Sequence, residues 1–138
     1  MLKLEHLGIA VKDIEAADLC YERLLGQKPY KREYVESEHV ITSFFQVGES
    51  KIELLESSNP ESAIAKFIDK RGEGLHHVAF EVEDIYQELA RLKTEGFQII
   101  NQEPKLGADN KLVAFVHPKG VHGVLIELCQ DRGAIEEN

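Results

Sequence analysis

The stretches "HLGIAVKDIEAADLCYERLLG" at residues 6–26 and "HVAFEVEDIYQELARLKTEG" at residues 77–96 follow one pattern. Each opens on a histidine and runs through an alternating apolar strand to Val, a charged residue and Asp-Ile. Each continues as an amphipathic helix and stops at Gly. His6 therefore matches His77, Val11 matches Val82, Asp13 matches Asp84 and Ile14 matches Ile85. Asp13 and Asp84 are short acceptors placed to cap a helix N-terminus. Ile14, Ala17, Tyr21, Leu24 and Leu25 recur at helical spacing, as do Ile85, Leu89 and Leu92. Gly26 and Gly96 are placed to end the two helices. Self-similarity on this scale marks a duplicated architecture.

The duplication extends outward. "SKIELLE" (50–56) and "GVLIELCQ" (123–130) share an Ile-Glu-Leu core, which pairs Glu53 with Glu127. Between helix and last strand the first half has room for strands at about 28–34 and 40–47. The second half has room at about 98–101 and 112–117. Both halves thus read βαβββ, with modules at about 1–57 and 74–130 of a single domain spanning 1–130. A helix over about 60–70, capped by Asn59 with Pro60 at its first position, fills the linker at about 59–71. The polar tail 131–138 is expected to fray.

Side chains of a strand alternate between its two faces, so parity assigns every residue a side. Leu7, Ile9 and Val11 share the face that should lie under the first helix, and His6, Gly8 and Ala10 share the other. Val78, Phe80 and Val82 oppose His77 and Ala79 in the same way. Glu53 and Glu127 oppose Ile52/Leu54 and Ile126/Leu128. Two imidazoles and two carboxylates at equivalent places therefore face away from the helices, beside small neighbours that leave space. Gathered in one cavity, they would carry uncompensated buried charge unless a divalent cation joined them. His6, Glu53, His77 and Glu127 are the candidate metal ligands, a donor set that suits a borderline metal. His76 falls on the helix side and reads as structural. His39, His117 and His122 lack counterparts in the other half, and Glu56 is expected to be exposed.

Composition narrows the function. The chain has 138 residues, 43% hydrophobic and 30% charged, with a formal net charge of −9. That sign argues against nucleic acid or an anionic membrane as partner. No apolar run approaches the ~20 residues that span a bilayer. The start "MLKLEHLGIAV" does not read as a signal peptide. Cys20 and Cys129 lack CxxC spacing and read as two small buried hydrophobes in a reducing cytoplasm.

These residues carry a resemblance. The paired βαβββ halves, the His…Glu…His…Glu set, and the runs "IAKFIDKRGEGLHHVAFEV" and "HPK…GVLIEL" resemble the vicinal oxygen chelate, or glyoxalase, superfamily. Within it the likeness is to the branch that epimerises methylmalonyl-CoA, and it covers nearly the whole chain. The resemblance implies an α+β fold of two βαβββ modules forming a curved mixed-sheet cup, and a homodimer. It implies a divalent ion, with Co2+ favoured over Zn2+, Mn2+ or Ni2+, on His6, Glu53, His77 and Glu127. It implies an acyl-CoA substrate whose acidic carbon exchanges its proton through a metal-stabilised enolate, with Glu127 as a catalytic base. Glyoxalase I shares the ligand types, and a metal-free binding module shares the fold; the retained ligand set speaks against the latter. An extradiol dioxygenase would leave the fourth ligand superfluous.

One departure stands out. Some members carry a glutamate in the strand that here reads "HVITSFF", at about Thr42, where this chain has no carboxylate. Glu36 and Glu38 lie just upstream and read more simply as solvated loop charges, so the second base is unassigned. Lys105, Lys111 and Lys119 in "EPKLGADNKLVAFVHPK" suit either the phosphates of a coenzyme A tail or a solvated hairpin, the slightly simpler reading.

Overall fold

The structure, a computed structural model, describes residues 1–133; the tail from 134 onward lies outside the described residues. The chain divides into two compact units, residues 6–76 and residues 77–138 together with residues 1–5.

In the first unit, β1 (Lys3–Ala10, from His6 on) leads into α1 (Ile14–Leu25), β2 (Lys31–Val35), β3 (Val40–Val47), β4 (Ser50–Ser57) and α2 (Ala63–Arg71). The strands run in the order β2-β3-β4-β1, with β1 parallel to β4 and the other neighbours antiparallel. In the second unit, β5 (Gly74–Glu81) precedes α3 (Ile85–Thr94), β6 (Lys105–Leu106), β7 (Lys111–Val116) and β8 (Ile126–Asp131). Its order is β5-β8-β7-β6, with β5 parallel to β8. The repeat read in the sequence is therefore a repeat in topology.

The match holds at the level of single hydrogen bonds. Asp13 accepts from the amides of Glu15 and Ala16, and Asp84 accepts from those of Tyr86 and Gln87. The first amide of each helix, which capping leaves over, is taken by a side chain from the last strand of its own half. Ile14 N–H donates to Glu56 Oε1 at 2.7 Å, and Ile85 N–H donates to Gln130 Oε1 at 2.8 Å. Glu56 was expected to be exposed. It is half-buried because the α1 terminus needs its carboxylate.

Each helix covers the predicted strand face. Val11, Ile14, Phe45 and Leu54 form the first core, with Ile9, Ala17, Tyr21 and Leu25 packed on it. Ile85, Leu89, Leu92, Ala114, Val116 and Leu128 anchor the second. Leu24, placed on the buried stripe by spacing, is 70% exposed. Asp18, on the same helix, is buried, held by Arg32 Nη2 at 2.6 Å and Ser43 Oγ at 2.9 Å. That ion pair raises the Arg32 guanidinium further above its ordinary range.

Strand ends shift where proline intervenes. The strand expected from residue 28 begins at Lys31, after Pro29; Pro29 has no amide to give a ladder. The segment at 98–101 keeps one bridge, Ile99 to Val116, and the pairing resumes as β6 beyond Pro104. The linker helix starts later than expected, at Ala63. Ser62 caps it by accepting from Ala65 N–H, while Asn59 turns back on Glu61 N–H. Cys129 is buried as expected, but Cys20 is exposed.

Candidate active site

Within the first unit, His6 and Glu53 lie on adjacent parallel strands, both only 4% exposed. His6 Nδ1 stands 3.2 Å from Glu53 Oε2. Gly8 is the register partner of Glu53 and has no side chain, so the imidazole of His6 can lean across to it. Within the second unit, His77 and Glu127 repeat the arrangement, each 6% exposed. His77 Nε2 stands 3.3 Å from Glu127 Oε1, and Ala79 is the small register partner of Glu127. Both glutamates face away from their own helix, since Leu54 and Leu128 on either side belong to the helix-side cores.

The repeat continues through side chains that sequence reasoning missed. Phe44 is the cross-strand partner of Glu53, and Phe115 that of Glu127. The Phe115 ring meets His77 edge-on at 6.2 Å. One strand further out, Lys31 Nζ lies 4.8 Å from the centre of the Phe44 ring, and Lys105 Nζ lies 6.0 Å from that of Phe115. Each half thus presents a small residue, a Glu, a Phe and a Lys on successive strands. Sequence reading stopped short of them because β6 lies beyond the strand expected at about 98–101 and the pairing of Lys31 with Phe44 depends on strand register.

Other candidates sort by their surroundings. Thr42 is fully buried on the Phe44 face, and its Oγ1 has no hydrogen-bond partner. Glu36 is exposed, whereas Glu38 is half-buried with Oε2 shielded from solvent. Lys111, expected on a solvated hairpin, is buried at 7% exposure with Glu81 at 3.9 Å. The β7 parity turns it toward the Glu127 face, opposite Ala114 and Val116. Glu5, which sequence reasoning passed over, is 2% exposed. Burial first, then the charges of Glu127, Glu5 and Glu81, push the Cys129 thiol up. His76 packs edge-on to Phe67 at 5.0 Å, a structural contact as expected. His117 accepts from Lys119 N–H, and His39 and His122 hold left-handed turn positions.

Residues 5–115 match the model of the Glyoxalase/Bleomycin resistance protein/Dioxygenase superfamily. The ethylmalonyl-CoA/methylmalonyl-CoA epimerase of Cereibacter sphaeroides is 40% identical over 130 residues, covering 93% of this chain and 97% of that protein. A methylmalonyl-CoA epimerase of Streptomyces coelicolor, solved in complex with 2-nitronate-propionyl-CoA, superposes with a TM-score of 0.92 at 31% identity over 96% of each chain. A methylmalonyl-CoA epimerase solved in complex with methylmalonyl-CoA gives the same TM-score, identity and coverage. With its duplicated βαβββ units and this range of matches, the chain belongs to the glyoxalase/bleomycin resistance protein/dioxygenase superfamily, and methylmalonyl-CoA epimerases are its homologues.

Proposed function

We propose that the chain interconverts the (R) and (S) forms of methylmalonyl-CoA, with His6, Glu53, His77 and Glu127 holding one divalent metal ion. It is an isomerase of the racemase and epimerase class. The observation that carries this reading is the matched pair of buried His–Glu contacts, 3.2 Å in one unit and 3.3 Å in the other, at equivalent positions of the repeat. The donor chemistry fits a metal. Each pair offers an imidazole nitrogen and a carboxylate oxygen in a setting nearly closed to water, where unneutralised charge is costly. Neutral nitrogen and anionic oxygen donors suit Co2+, and accept Zn2+, Mn2+ or Ni2+. Such an ion, when bound, supplies a Lewis acid against the negative charge that develops on the substrate's oxygens.

The chain's own residues do the rest. The carbon between the thioester and the carboxylate is acidic, and Glu127 is the base that takes its proton. Ala79 and Phe115 flank Glu127 on the two neighbouring strands. Return of a proton to the opposite face inverts the centre. In this reading the two βαβββ units are modules of one domain. The protein acts in the cytoplasm as a homodimer, which the apolar Leu19 and Leu24 exposed on α1 support. No helix among the described residues is long and apolar enough to cross a membrane.

The test is direct. Methylmalonyl-CoA of one configuration, incubated with metal-loaded protein in deuterated water, should gain deuterium at the central carbon and appear as both epimers. Absence of both effects, combined with isomerisation of the methylglyoxal–glutathione hemithioacetal, overturns the proposal in favour of glyoxalase I chemistry.

A further inference from the structure

We infer that Lys111 is a positioning residue for the His77–Glu127 pair, acting through an ion pair with Glu81; this rests on the metal site proposed above. A lysine is almost never fully buried unless it is paired. Lys111 is 7% exposed, and its Nζ stands 3.9 Å from Glu81 Oε1. Neither side chain has a role in the proton transfer proposed above.

The register of three strands of the second unit puts this ion pair beside the metal candidates. Across β5, β8 and β7, Ala79, Glu127 and Phe115 form one row of partners, and Glu81, Cys129 and Val113 form the next. Lys111 stands one row further along, opposite Asp131. Paired residues share a face of the sheet, and so do residues two apart on one strand. Lys111, Glu81, Cys129, Glu127 and His77 therefore lie on one face. To meet, the side chains of Lys111 and Glu81 reach across β8 from its two sides. Between them lies Cys129, a small residue that is 0% exposed. After burial itself, the influences on the Cys129 thiol are the charges of Glu127, Glu5, Lys111 and Glu81, which places all four around it.

The ion pair is thus a tie over β8 that fastens β5 to β7. The β5–β8 ladder is short, running only from Val78 to Glu81 on the β5 side. His77 stands just before its first rung and Glu81 on its last. His77 Nε2 meets Glu127 Oε1 at 3.3 Å across that same seam. A slip of β5 against β8 would part the two donors, and a site works only when its groups are held within about 0.5 Å of their places. The charge of Lys111 cannot be its contribution, because a cation here repels a dication held by Glu127. Its value to the site is geometric.

Isothermal titration of the metal-free full chain with Co2+ tests the tie. In K111M the affinity should fall by about 10- to 100-fold, the range contributed by groups that support metal ligands from behind. The sign is diagnostic, since removing a positive charge near a dication would by itself strengthen binding. A pair with only a structural role would lower the melting temperature and leave the affinity of the folded chain unchanged. The reversed pair, K111E/E81K, should return the affinity to within about threefold of wild type. The assignment is overturned if folded K111M binds Co2+ as tightly as wild type or more tightly. It is equally overturned if the reversed pair binds no better than K111M. If K111M does not fold, K111M/E81M reads the same tie, because replacing both partners leaves no buried charge unpaired. A loss of about 10-fold in that variant supports the tie, and wild-type affinity overturns it. A wild-type chain that takes up no Co2+ defeats the metal site itself, which the unaltered control reveals on its own.

Discussion

In the proposed reading Glu127 combines two demands that pull against each other, since a metal ligand shares its lone pairs and a base must be able to take a proton. In E127Q the shape is kept and the basicity removed. Deuterium exchange should fall by about 100- to 10,000-fold, and metal analysis of the same sample separates this from simple loss of the ion. The two cysteines differ in a way that pH exposes. Burial holds the Cys129 thiol above its ordinary range, so the folded protein keeps that proton after an unfolded chain would have lost it. Its contribution to stability is therefore complete below the ordinary thiol range and declines as pH climbs above it. A colorimetric thiol reagent at pH 8.5 should count one fast sulfur, Cys20, in the native protein, and the second only after denaturation. His39 sits at φ 53, a left-handed position. H39G should stabilise the protein by about 1 kcal/mol in urea titration and leave turnover unchanged. Among these residues the metal candidates were legible because each had a counterpart in the other half. Glu5 and Lys31 had no such flag, and their side depended on strand registers that no single stretch of sequence displays.

At the scale of elements, α1 and α3 were the most readable parts of the chain. Cap, apolar stripe and terminal glycine agreed in each, and agreement between levels is what specifies a local structure. Gly26, at φ 74, takes the left-handed conformation that ends α1. What could not be read was the long-range support. The amides of Ile14 and Ile85 depend on Glu56 and Gln130, 42 and 45 residues away. E56A should cost about 1–2 kcal/mol, because it leaves a partly buried helix amide without its acceptor. D13A and D84A should each cost about 1 kcal/mol. Urea denaturation with metal present checks all three, and metal content should stay constant through the series. The late start of β2 has a local cause: Pro29 deletes a ladder donor inside the strand expected at about 28–34. In α1 the buried face includes Asp18, paired with Arg32, whereas Leu24 at the end of the apolar series is exposed.

At the scale of the molecule, duplication turns one weak signal into a strong one. A single buried His–Glu contact is commonplace; its recurrence at the same topological position in both units, with a small neighbour and a flanking phenylalanine in each, is what supports the proposed metal site. An acidic chain with buried carboxylates should also depend on its ion for stability. Metal that binds only the folded state at 1,000 times its dissociation constant adds about 4 kcal/mol. Chelation should therefore lower the melting temperature and abolish epimerisation, and Co2+ should restore both. The claim that both His–Glu pairs serve one ion is tested most directly by metal stoichiometry in the wild type and in H6A and H77A. One equivalent per chain, lost on removing either histidine, is the expected result. Two equivalents, each lost independently, or none in a folded wild-type chain, would contradict it.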